Sequence, residues 1–344
     1  MDHAIAKAMY GLQMNRSQGR PCSTPIESVE TSVAQRSREE YKRVFHNNMA
    51  PKDMVFLFLS FLLLNLKMIV IMIIEFVRMF IPTEEKSIKG KLILVTGAGQ
   101  NLGRELSLQL ARLGARLVLW DINGGENEET ASMIRKEGGE ATAFVCDVSD
   151  QHAVAATGAR VRREIGNPNL VFNNAGTYEF KPFLKHTPQE IQRMVNVNLM
   201  GNLWVTREFI DHMIQHNEGH LISISSVLGF IGRSQVVPYC ASKWGVKGMT
   251  EALAEEMRLE RRSGITVTAV HPFLIDNVDD VKPDLKFPWL FEILKAPDAA
   301  ARIIRGVRQN QEEIFLPEKL KPLMICSKIL PRKIRRLTGD WMEN

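Results

Sequence analysis

The sequence predicts an α/β fold in which helices cover both faces of a doubly wound parallel β-sheet. Between Lys91 and Pro317, short apolar segments bounded by turn residues alternate with longer amphipathic segments of helical period. This alternation is typical of parallel sheets, because each parallel connection needs a crossover helix. In such sheets, ligands bind at the carboxyl ends of the strands. Seven strands are predicted, namely KLILVTG, ARLVLW, ATAFVC, NLVFNN, HLISIS, ITVTAVHP and EEIFLP.

Composition divides the chain into four stretches. Residues 1–53 are polar and of mixed charge, which predicts a mostly disordered tail. Residues 54–82 are predicted to form a hydrophobic membrane anchor, and residues 88–318 the single α/β domain. Residues 319–344 form a basic amphipathic tail, which suits an anionic membrane surface or, alternatively, packing on the domain.

The anchor begins with Met54–Ile74, an apolar run of 21 residues. As a helix it would be about 31 Å long, which is the thickness of one hydrocarbon core. Its apolar residues favour insertion by roughly 4 to 9 kcal/mol, whereas Lys67 opposes insertion by at most about 3 kcal/mol. Because Asn65 and Lys67 divide the run, a straight span and a hairpin within one leaflet both remain open.

Charge and cysteine spacing exclude several classes of protein. The net charge of +5 permits contact with anionic lipid, but the sequence contains no nucleic-acid-binding motif. The four cysteines lack CxxC spacing, which argues against a disulfide framework and a cysteine zinc site. The eight histidines include no HExxH motif, so no metal site is expected.

A glycine-rich turn follows the first predicted strand and precedes a helix. Glycines in this position let the backbone approach a pyrophosphate at the helix N-terminus. The turn, TGAGQNLG, is Thr96–Gly103, and its candidate cofactor-binding residues are Gly97, Gly99, Asn101, Leu102 and Gly103. It predicts a dinucleotide-binding domain of the Rossmann type.

An acid at the end of the second strand indicates which dinucleotide is bound. Asp121 follows Gly103 by eighteen positions, where a carboxylate can accept hydrogen bonds from both ribose hydroxyls. A 2′-phosphate would meet like charge there, and neither Gln100 nor Ile122 supplies a basic partner. The sequence therefore favours NAD over NADP as the cofactor.

On these motifs, residues from about Lys91 to Pro317 resemble a classical short-chain dehydrogenase/reductase. The TGxxxGxG pattern of that family is present with Asn101 at its middle glycine, and asparagine tolerates left-handed backbone better than most residues. Asp147 in CDVSD matches the acid that contacts the adenine ring. The family's NNAG element is also present, and the resemblance implies cofactor contacts there for Asn174, Ala175 and Gly176.

The resemblance also implies a catalytic tetrad. Tyr239 and Lys243 form the YxxxK pair, whose spacing places both side chains on one helical face. The pKa of tyrosine is near 10, and a nearby ammonium lowers it toward the range of a useful base. Lys243 would also hold the nicotinamide ribose. Ser226, thirteen positions before Tyr239, would hydrogen-bond the substrate oxygen, and Asn198 would anchor a proton-relay water. Ser225 is the neighbouring alternative, but adjacent strand residues point to opposite faces.

The segment after the sixth strand departs from the family pattern. The family has a PG motif followed by a threonine, whereas this chain has HPFLIDN at residues 271–277. Ile275 is expected to offer its backbone to the nicotinamide carboxamide. Asn277 stands where threonine is usual.

With its hydrophobic anchor, the chain most resembles the retinol and hydroxysteroid dehydrogenases of endoplasmic reticulum and lipid droplets. The resemblance implies hydride transfer from a lipophilic alcohol, retinol or a steroid, to NAD. It also implies membrane lipid as a partner, a possible homodimer, and a catalytic domain that faces the cytosol from one of those membranes. Two alternatives remain: an NADPH-dependent reductase of a lipid ketone, which Asp121 opposes, and a catalytically weak scaffold protein, which Asn101 and Asn277 favour and the tetrad opposes.

Overall fold

The computed structural model describes residues 51–78, 83–276, 289–331, 333–334 and 336–337. The chain divides into two compact units, residues 1–82 and residues 83–344. Asn277, the predicted tail before residue 51 and the last seven residues lie outside the described residues.

The first unit contributes one long helix, α1 (Pro51–Arg78). Within it, Met54–Ile74 has a mean hydropathy of 2.6 and is long and apolar enough to cross a membrane. The helix runs without a break through Asn65 and Lys67. The Asn65 side-chain amide donates a hydrogen bond of 2.7 Å to the Phe61 carbonyl, so this polar group has a partner within the helix itself.

Strands and helices alternate through most of the described residues of the second unit. In chain order its elements are β1 (Leu92–Thr96), α2 (Asn101–Arg112), β2 (Arg116–Asp121), α3 (Gly124–Lys136), β3 (Glu140–Val145), α4 (Gln151–Glu164), β4 (Leu170–Asn173), α5 (Pro188–Val195), α6 (Gly201–His216), β5 (Gly219–Ile224), α7 (Val237–Leu259), β6 (Ile265–Pro272), β7 (Leu274–Asp276), β8 (Ile293–Lys295), α8 (Ala296–Arg308), β9 (Glu313–Leu316) and α9 (Leu320–Ile329).

The seven predicted strands form one parallel sheet, which confirms the predicted fold class. Their order is β3-β2-β1-β4-β5-β6-β9, and β7 and β8 form a separate parallel pair. The order reverses between β1 and β4, where Ile93 lies opposite Leu170. A crevice at the carboxyl ends of the strands beside such a reversal is the usual ligand site of an open α/β sheet.

Alternate residues of the central strands face two separate hydrophobic clusters. Ile93 and Val95 of β1 belong to a cluster that includes the apolar faces of α2 and α8. Leu92 and Leu94 belong to a second cluster that includes α4 and α6. Because side chains alternate along a strand, this division places helices on both faces of the sheet.

The helix α9 packs on the domain. Its residues Leu320 and Met324 are buried in a third cluster with Val227, Phe230 and Phe315. The first part of the predicted basic tail therefore contributes to the core of the second unit.

We expect truncation of a central aromatic residue to destabilise this unit strongly. Phe172 in β4 is 0% exposed, so Phe172→Ala should lower the free energy of unfolding by about 3 to 5 kcal/mol, because it removes buried apolar surface and leaves a cavity. Phe183→Ala is the matched control: Phe183 is 51% exposed, so its loss should cost no more than about 1 kcal/mol. Chemical denaturation of the full chain in detergent measures both, and equal losses would contradict the assignment of Phe172 to the core.

Candidate active site

The turn between β1 and α2 has the backbone that a glycine-rich loop requires. Gly97 has a φ of 66° and Asn101 a φ of 47°, both in the left-handed region. Asparagine is one of the few residues with a side chain that visit this region routinely. Asn101 therefore meets the backbone requirement at the position where the family pattern has glycine.

Gly103 leaves no space for a side chain in this turn, and Gly99 leaves little. A Cβ atom on Gly103 would lie 1.9 Å from the Gly97 carbonyl oxygen, and one on Gly99 would lie 3.1 Å from Asp121 Oδ2. The N-cap residue of α2, Gln100, makes no capping hydrogen bond with its side chain. The first turn of the helix thus presents N–H groups without a side-chain cap beside a glycine-rich loop. This arrangement suits the binding of a diphosphate. Leu102 is buried in the core, so only its backbone is available there.

Asp121 is held against the same turn from the end of β2. Its Oδ2 accepts the Gly99 N–H at 2.9 Å, and its Oδ1 accepts the Asn123 N–H at 2.9 Å. Arg104 also lies beside this turn, and its Nε donates to the Gly99 carbonyl at 2.9 Å. The Arg104 guanidinium also binds the Glu129 carboxylate at 2.7 Å, so its charge is already neutralised.

A partly buried polar network joins the glycine turn to the end of β4. The Thr96 hydroxyl accepts the N–H groups of Asn174 and Ala175 at 3.0 and 3.1 Å. The Asn174 side-chain amide donates to the carbonyls of Thr96 and Gly97 at 2.9 and 3.1 Å. The predicted contacts Asn174, Ala175 and Gly176 therefore lie beside the turn.

Asp147 lies past the end of β3, one strand further along the same edge of the sheet. Its Oδ1 accepts the N–H and the hydroxyl of Ser149 at 2.9 and 2.7 Å, which holds the carboxylate in a local turn. Together with Asp121, this residue continues the row of candidate cofactor contacts along the carboxyl edge.

Tyr239 and Lys243 come together in the first turns of α7. The Lys243 ammonium lies 5.6 Å from the centroid of the Tyr239 ring and donates to the Ile224 carbonyl at 2.7 Å. Lys243 is 4% exposed. A Cβ atom on Gly176 would lie 3.7 Å from the Lys243 ammonium, so the lysine also borders the element that follows β4.

Burial acts on the pKa values of both residues. It raises the pKa of Tyr239 to about 12, and a hydrogen bond with the Ser226 side chain acts in the opposite direction. Burial lowers the pKa of Lys243 to about 8. At pH 7 the protein alone therefore holds a protonated lysine beside a neutral tyrosine.

The two serines at the end of β5 have different partners. Besides its contact with Tyr239, the Ser226 hydroxyl accepts the Leu228 N–H at 3.1 Å. The Ser225 hydroxyl donates to the Lys243 carbonyl at 3.0 Å, on the backbone of α7. Of the two candidates, Ser226 is the one beside the tyrosine.

Asn198 lies in a π-helical turn, Asn196–Met200, between α5 and α6. Its Oδ1 accepts the Thr177 N–H at 2.7 Å, and its Nδ2 donates to the Thr177 carbonyl and the Ser242 hydroxyl at 2.8 and 3.0 Å. Such turns often occur at functional sites. The Asn198 side chain thus connects the segment after β4 to α7, next to Lys243.

Tyr178 also borders the tyrosine, and the motif analysis missed it. Its ring packs edge-on against Tyr239 with centroids 6.4 Å apart, and it is 53% exposed. The segment that carries it is held by Lys181, whose ammonium binds Glu179 and Glu190 at 2.9 and 2.7 Å. The one signal in the sequence is the position of Tyr178, two residues after the NNAG element.

The end of β6 carries a buried histidine, and β7, which follows it, carries a predicted cofactor contact. His271 is fully buried against Phe230 and Phe315, and burial together with nearby lysines lowers its pKa to about 3. It is therefore neutral at physiological pH and packs at the strand end. Ile275 lies in β7 and pairs with Leu294 of β8.

Comparison with known proteins agrees with this geometry. A family model described as short chain dehydrogenase matches residues 91–284. The chain is 35% identical to human epidermal retinol dehydrogenase 2 over 263 residues, which cover 76% of this chain and 85% of that protein. It is 32% identical to human 17-beta-hydroxysteroid dehydrogenase 13 over 275 residues, which cover 80% of this chain and 91% of that protein.

Solved structures share the fold. A short-chain dehydrogenase/reductase from Burkholderia phymatum in complex with NAD matches with a TM-score of 0.62 and 23% identity, over 69% of this chain and 92% of its own. A metagenomic short-chain oxidoreductase in complex with NADP matches with a TM-score of 0.56 and 29% identity. The match covers 67% of this chain and 96% of that chain. The sheet, the glycine turn and these relatives together show the family of the chain. It belongs to the short-chain dehydrogenase/reductase family, in the group that includes the retinol and 17-beta-hydroxysteroid dehydrogenases.

Proposed function

We propose that this protein is a membrane-associated, NAD-dependent dehydrogenase that oxidises a lipophilic secondary or allylic alcohol, either retinol or a steroid. The observation that carries the proposal is the meeting of Tyr239, Lys243 and Ser226 at the carboxyl edge of the sheet. An acid–base residue, a cation beside it and a hydroxyl donor are the groups that alcohol oxidation requires.

The residues along this edge fit a nicotinamide dinucleotide. The uncapped start of α2 would hold the diphosphate, and Asp121 would accept hydrogen bonds from the hydroxyls of the adenosine ribose. Asp147 would contact the adenine, Lys243 the nicotinamide ribose, and the Ile275 backbone the carboxamide. When bound, the nicotinamide ring supplies the hydride chemistry. The other candidate contacts are Gly97, Gly99, Asn101, Leu102, Gly103, Asn174, Ala175, Gly176 and Tyr239.

The protein's own part of the reaction is to hold and move one proton. In the oxidative direction the Tyr239 phenolate oxygen accepts the proton of the substrate hydroxyl, while Ser226 donates a hydrogen bond to the substrate oxygen. Burial opposes the phenolate, and the Lys243 ammonium favours it. Asn198 keeps the segment after β4 in contact with α7 and would anchor the water that relays the proton onward.

Charge at the ribose end supports NAD as the cofactor. The Asp121 carboxylate borders the turn, and a 2′-phosphate there would meet like charge. NADPH-dependent reduction of a lipid ketone is the second candidate. It is favoured by the position of Arg104, a cation beside the glycine turn. To bind a 2′-phosphate, however, Arg104 would have to give up its ion pair with Glu129.

The apolar character of the substrate is supported from two directions. Relatives of this chain are named for retinol and for 17-beta-hydroxysteroids. In addition, the exposed ring of Tyr178 offers an apolar wall beside Tyr239. A lipophilic alcohol partitions into the membrane, so an enzyme anchored by α1 would meet its substrate at high local concentration.

We also propose the location and assembly that the resemblance implies. The membrane is that of the endoplasmic reticulum or the lipid droplet. Residues 88–318 form a catalytic domain that faces the cytosol and pairs with a second copy as a homodimer. Residues 1–53, 54–82 and 319–344 are the polar tail, the anchor and the basic tail. The described cysteines, Cys146, Cys240 and Cys326, are free thiols, which supports exposure to a reducing compartment.

Cofactor titration tests the role of Asp121. We expect the wild-type protein to bind NADH at least about tenfold more tightly than NADPH, a difference of about 1.4 kcal/mol. Asp121→Ser should lose most of that preference, because the carboxylate that repels the 2′-phosphate is gone. Asp211→Ser, on the exposed face of α6, is the matched control and should retain it. Tighter binding of NADPH by the wild-type protein would favour the reductase, and binding of neither would favour the scaffold.

Removal of one hydroxyl tests catalysis itself. Tyr239→Phe should lower kcat/KM for the oxidation of all-trans-retinol or estradiol by about 10²- to 10⁴-fold, because the proton acceptor is lost. Its affinity for NADH should change little. Tyr178→Phe keeps the neighbouring ring and should retain activity within a few-fold. Retention of full activity by Tyr239→Phe would refute the proposed mechanism.

The two pKa values also predict the pH dependence of oxidation. The productive form has Tyr239 deprotonated and Lys243 protonated. As pH rises toward the Lys243 pKa of about 8, more phenolate forms and kcat/KM should increase; above it the ammonium is lost and the increase should level off. The Lys243→Arg variant keeps its charge at high pH, so its kcat/KM should continue to increase above about pH 8. A profile that falls between about pH 6 and 8 would contradict this assignment.

A further inference from the structure

A cavity lies at the end of the sheet opposite the glycine turn. It has a volume of about 310 Å³ and is bordered by residues at the amino ends of β1, β4, β5 and β6, among them Lys91, Asn169, Gly219 and Gly264. Small-molecule sites in proteins begin at about this size. Because the candidate active site lies at the carboxyl ends of the same strands, the cavity is separate from it.

The ammonium of Lys86 borders this cavity and is bound only to neutral groups. It lies 2.6 Å from Asn310 Oδ1 and 2.9 Å from His220 Nδ1. The Thr268 hydroxyl donates its proton to the Gln311 carbonyl at 2.6 Å, so it must accept from His220 Nε2 at 2.7 Å. His220 Nδ1 therefore carries the lone pair and accepts from Lys86.

The charge of Lys86 has no counter-ion in the part of the chain that the structure describes. Two carboxylates in this region are engaged elsewhere: Glu218, which also lines the cavity, binds Lys91 at 2.7 Å, and Glu85 binds Arg308. Burial and the neighbouring Lys91 charge lower the pKa of Lys86 to about 8, as expected for an ammonium without an anion beside it. The cavity thus holds one unbalanced positive charge.

Hydroxyl groups surround the same space. Ser87, Ser263 and Thr266 line the cavity and can donate hydrogen bonds to an anion. An ammonium has three N–H groups, and the two neutral acceptors use two of them, which leaves one for a ligand. Hydrogen bonds from a charged donor to an anionic oxygen are among the strongest in proteins.

We propose that this cavity binds a phosphate group, with Lys86 as its counter-ion and the three hydroxyls as additional donors. The phosphate belongs either to a lipid headgroup or to a soluble phosphate compound, since both present the same oxygens. Lys86 lies in the segment that follows the membrane-helix candidate α1 along the chain. The inference does not depend on the proposed dehydrogenase activity.

Calorimetric titration of the full chain in dodecyl maltoside with inorganic phosphate tests the site. We expect saturable binding by the wild-type protein, and at least tenfold weaker binding by Lys86→Gln. Lys89→Gln is the matched control, because Lys89 is exposed and does not line the cavity. It should bind phosphate as the wild-type protein does. Absence of binding by the wild-type protein, or equal binding by Lys86→Gln, would overturn the proposal.

A second variant and a second readout separate loss of the site from loss of the fold. Ser263→Val removes one lining hydroxyl at an exposed position and should weaken phosphate binding at least threefold. Both cavity variants should retain the NADH affinity of the wild-type protein, if that protein binds NADH, and its unfolding transition. If Ser263→Val binds phosphate normally and Lys86→Gln loses binding only together with its unfolding transition, the proposal is wrong.

Reconstitution distinguishes the two sources of phosphate. The same titration is made in nanodiscs of phosphatidylcholine, with and without phosphatidic acid. If a lipid headgroup occupies the cavity, phosphatidic acid should weaken binding of inorganic phosphate by the wild-type protein. If the ligand is a soluble phosphate compound, binding should be equal in both discs. Either result supports a phosphate site, whereas lack of phosphate binding in both discs would refute it.

Discussion

The candidate site depends on the partly buried hydrogen bonds that join the ends of β1 and β4. The Thr96 hydroxyl and the Asn174 amide connect the two strands where the order of the sheet reverses. This network positions the glycine turn on one side and Gly176, beside Lys243, on the other. Partners left unpaired in a buried network are costly, so loss of either group would disturb both halves of the site together.

Burial around Tyr239 has two opposite consequences for proton transfer. It excludes water, which strengthens every interaction of the reacting proton, but it also disfavours both the phenolate and the ammonium. With its pKa lowered only to about 8, Lys243 keeps its proton at neutral pH. The Ile224 carbonyl contributes to this by accepting a hydrogen bond from the ammonium. The site therefore retains the cation that favours ionisation of Tyr239.

The sequence predicted those features that depend on local pattern. Short apolar segments bounded by turn residues predicted all seven strands of the sheet, and the family resemblance predicted that Tyr239, Lys243 and Ser226 meet, as they do in the structure. The contacts that sequence missed join residues far apart in the chain, such as Tyr178 with Tyr239. No local period encodes such a pair, because tertiary packing alone determines which loop reaches which helix.

The backbone conformation at Asn101 bears on whether the glycine turn of this chain can bind a dinucleotide. Glycine is favoured at position 101 because its backbone has positive φ, and this constraint concerns conformation rather than space. Asn101 satisfies it with a φ of 47°, while Gly97, Gly99 and Gly103, where an added Cβ would come too close to its neighbours, are all glycine. This departure from the family pattern thus falls at a position whose backbone conformation asparagine can adopt. This weighs against the scaffold alternative and in favour of a turn that still binds a dinucleotide.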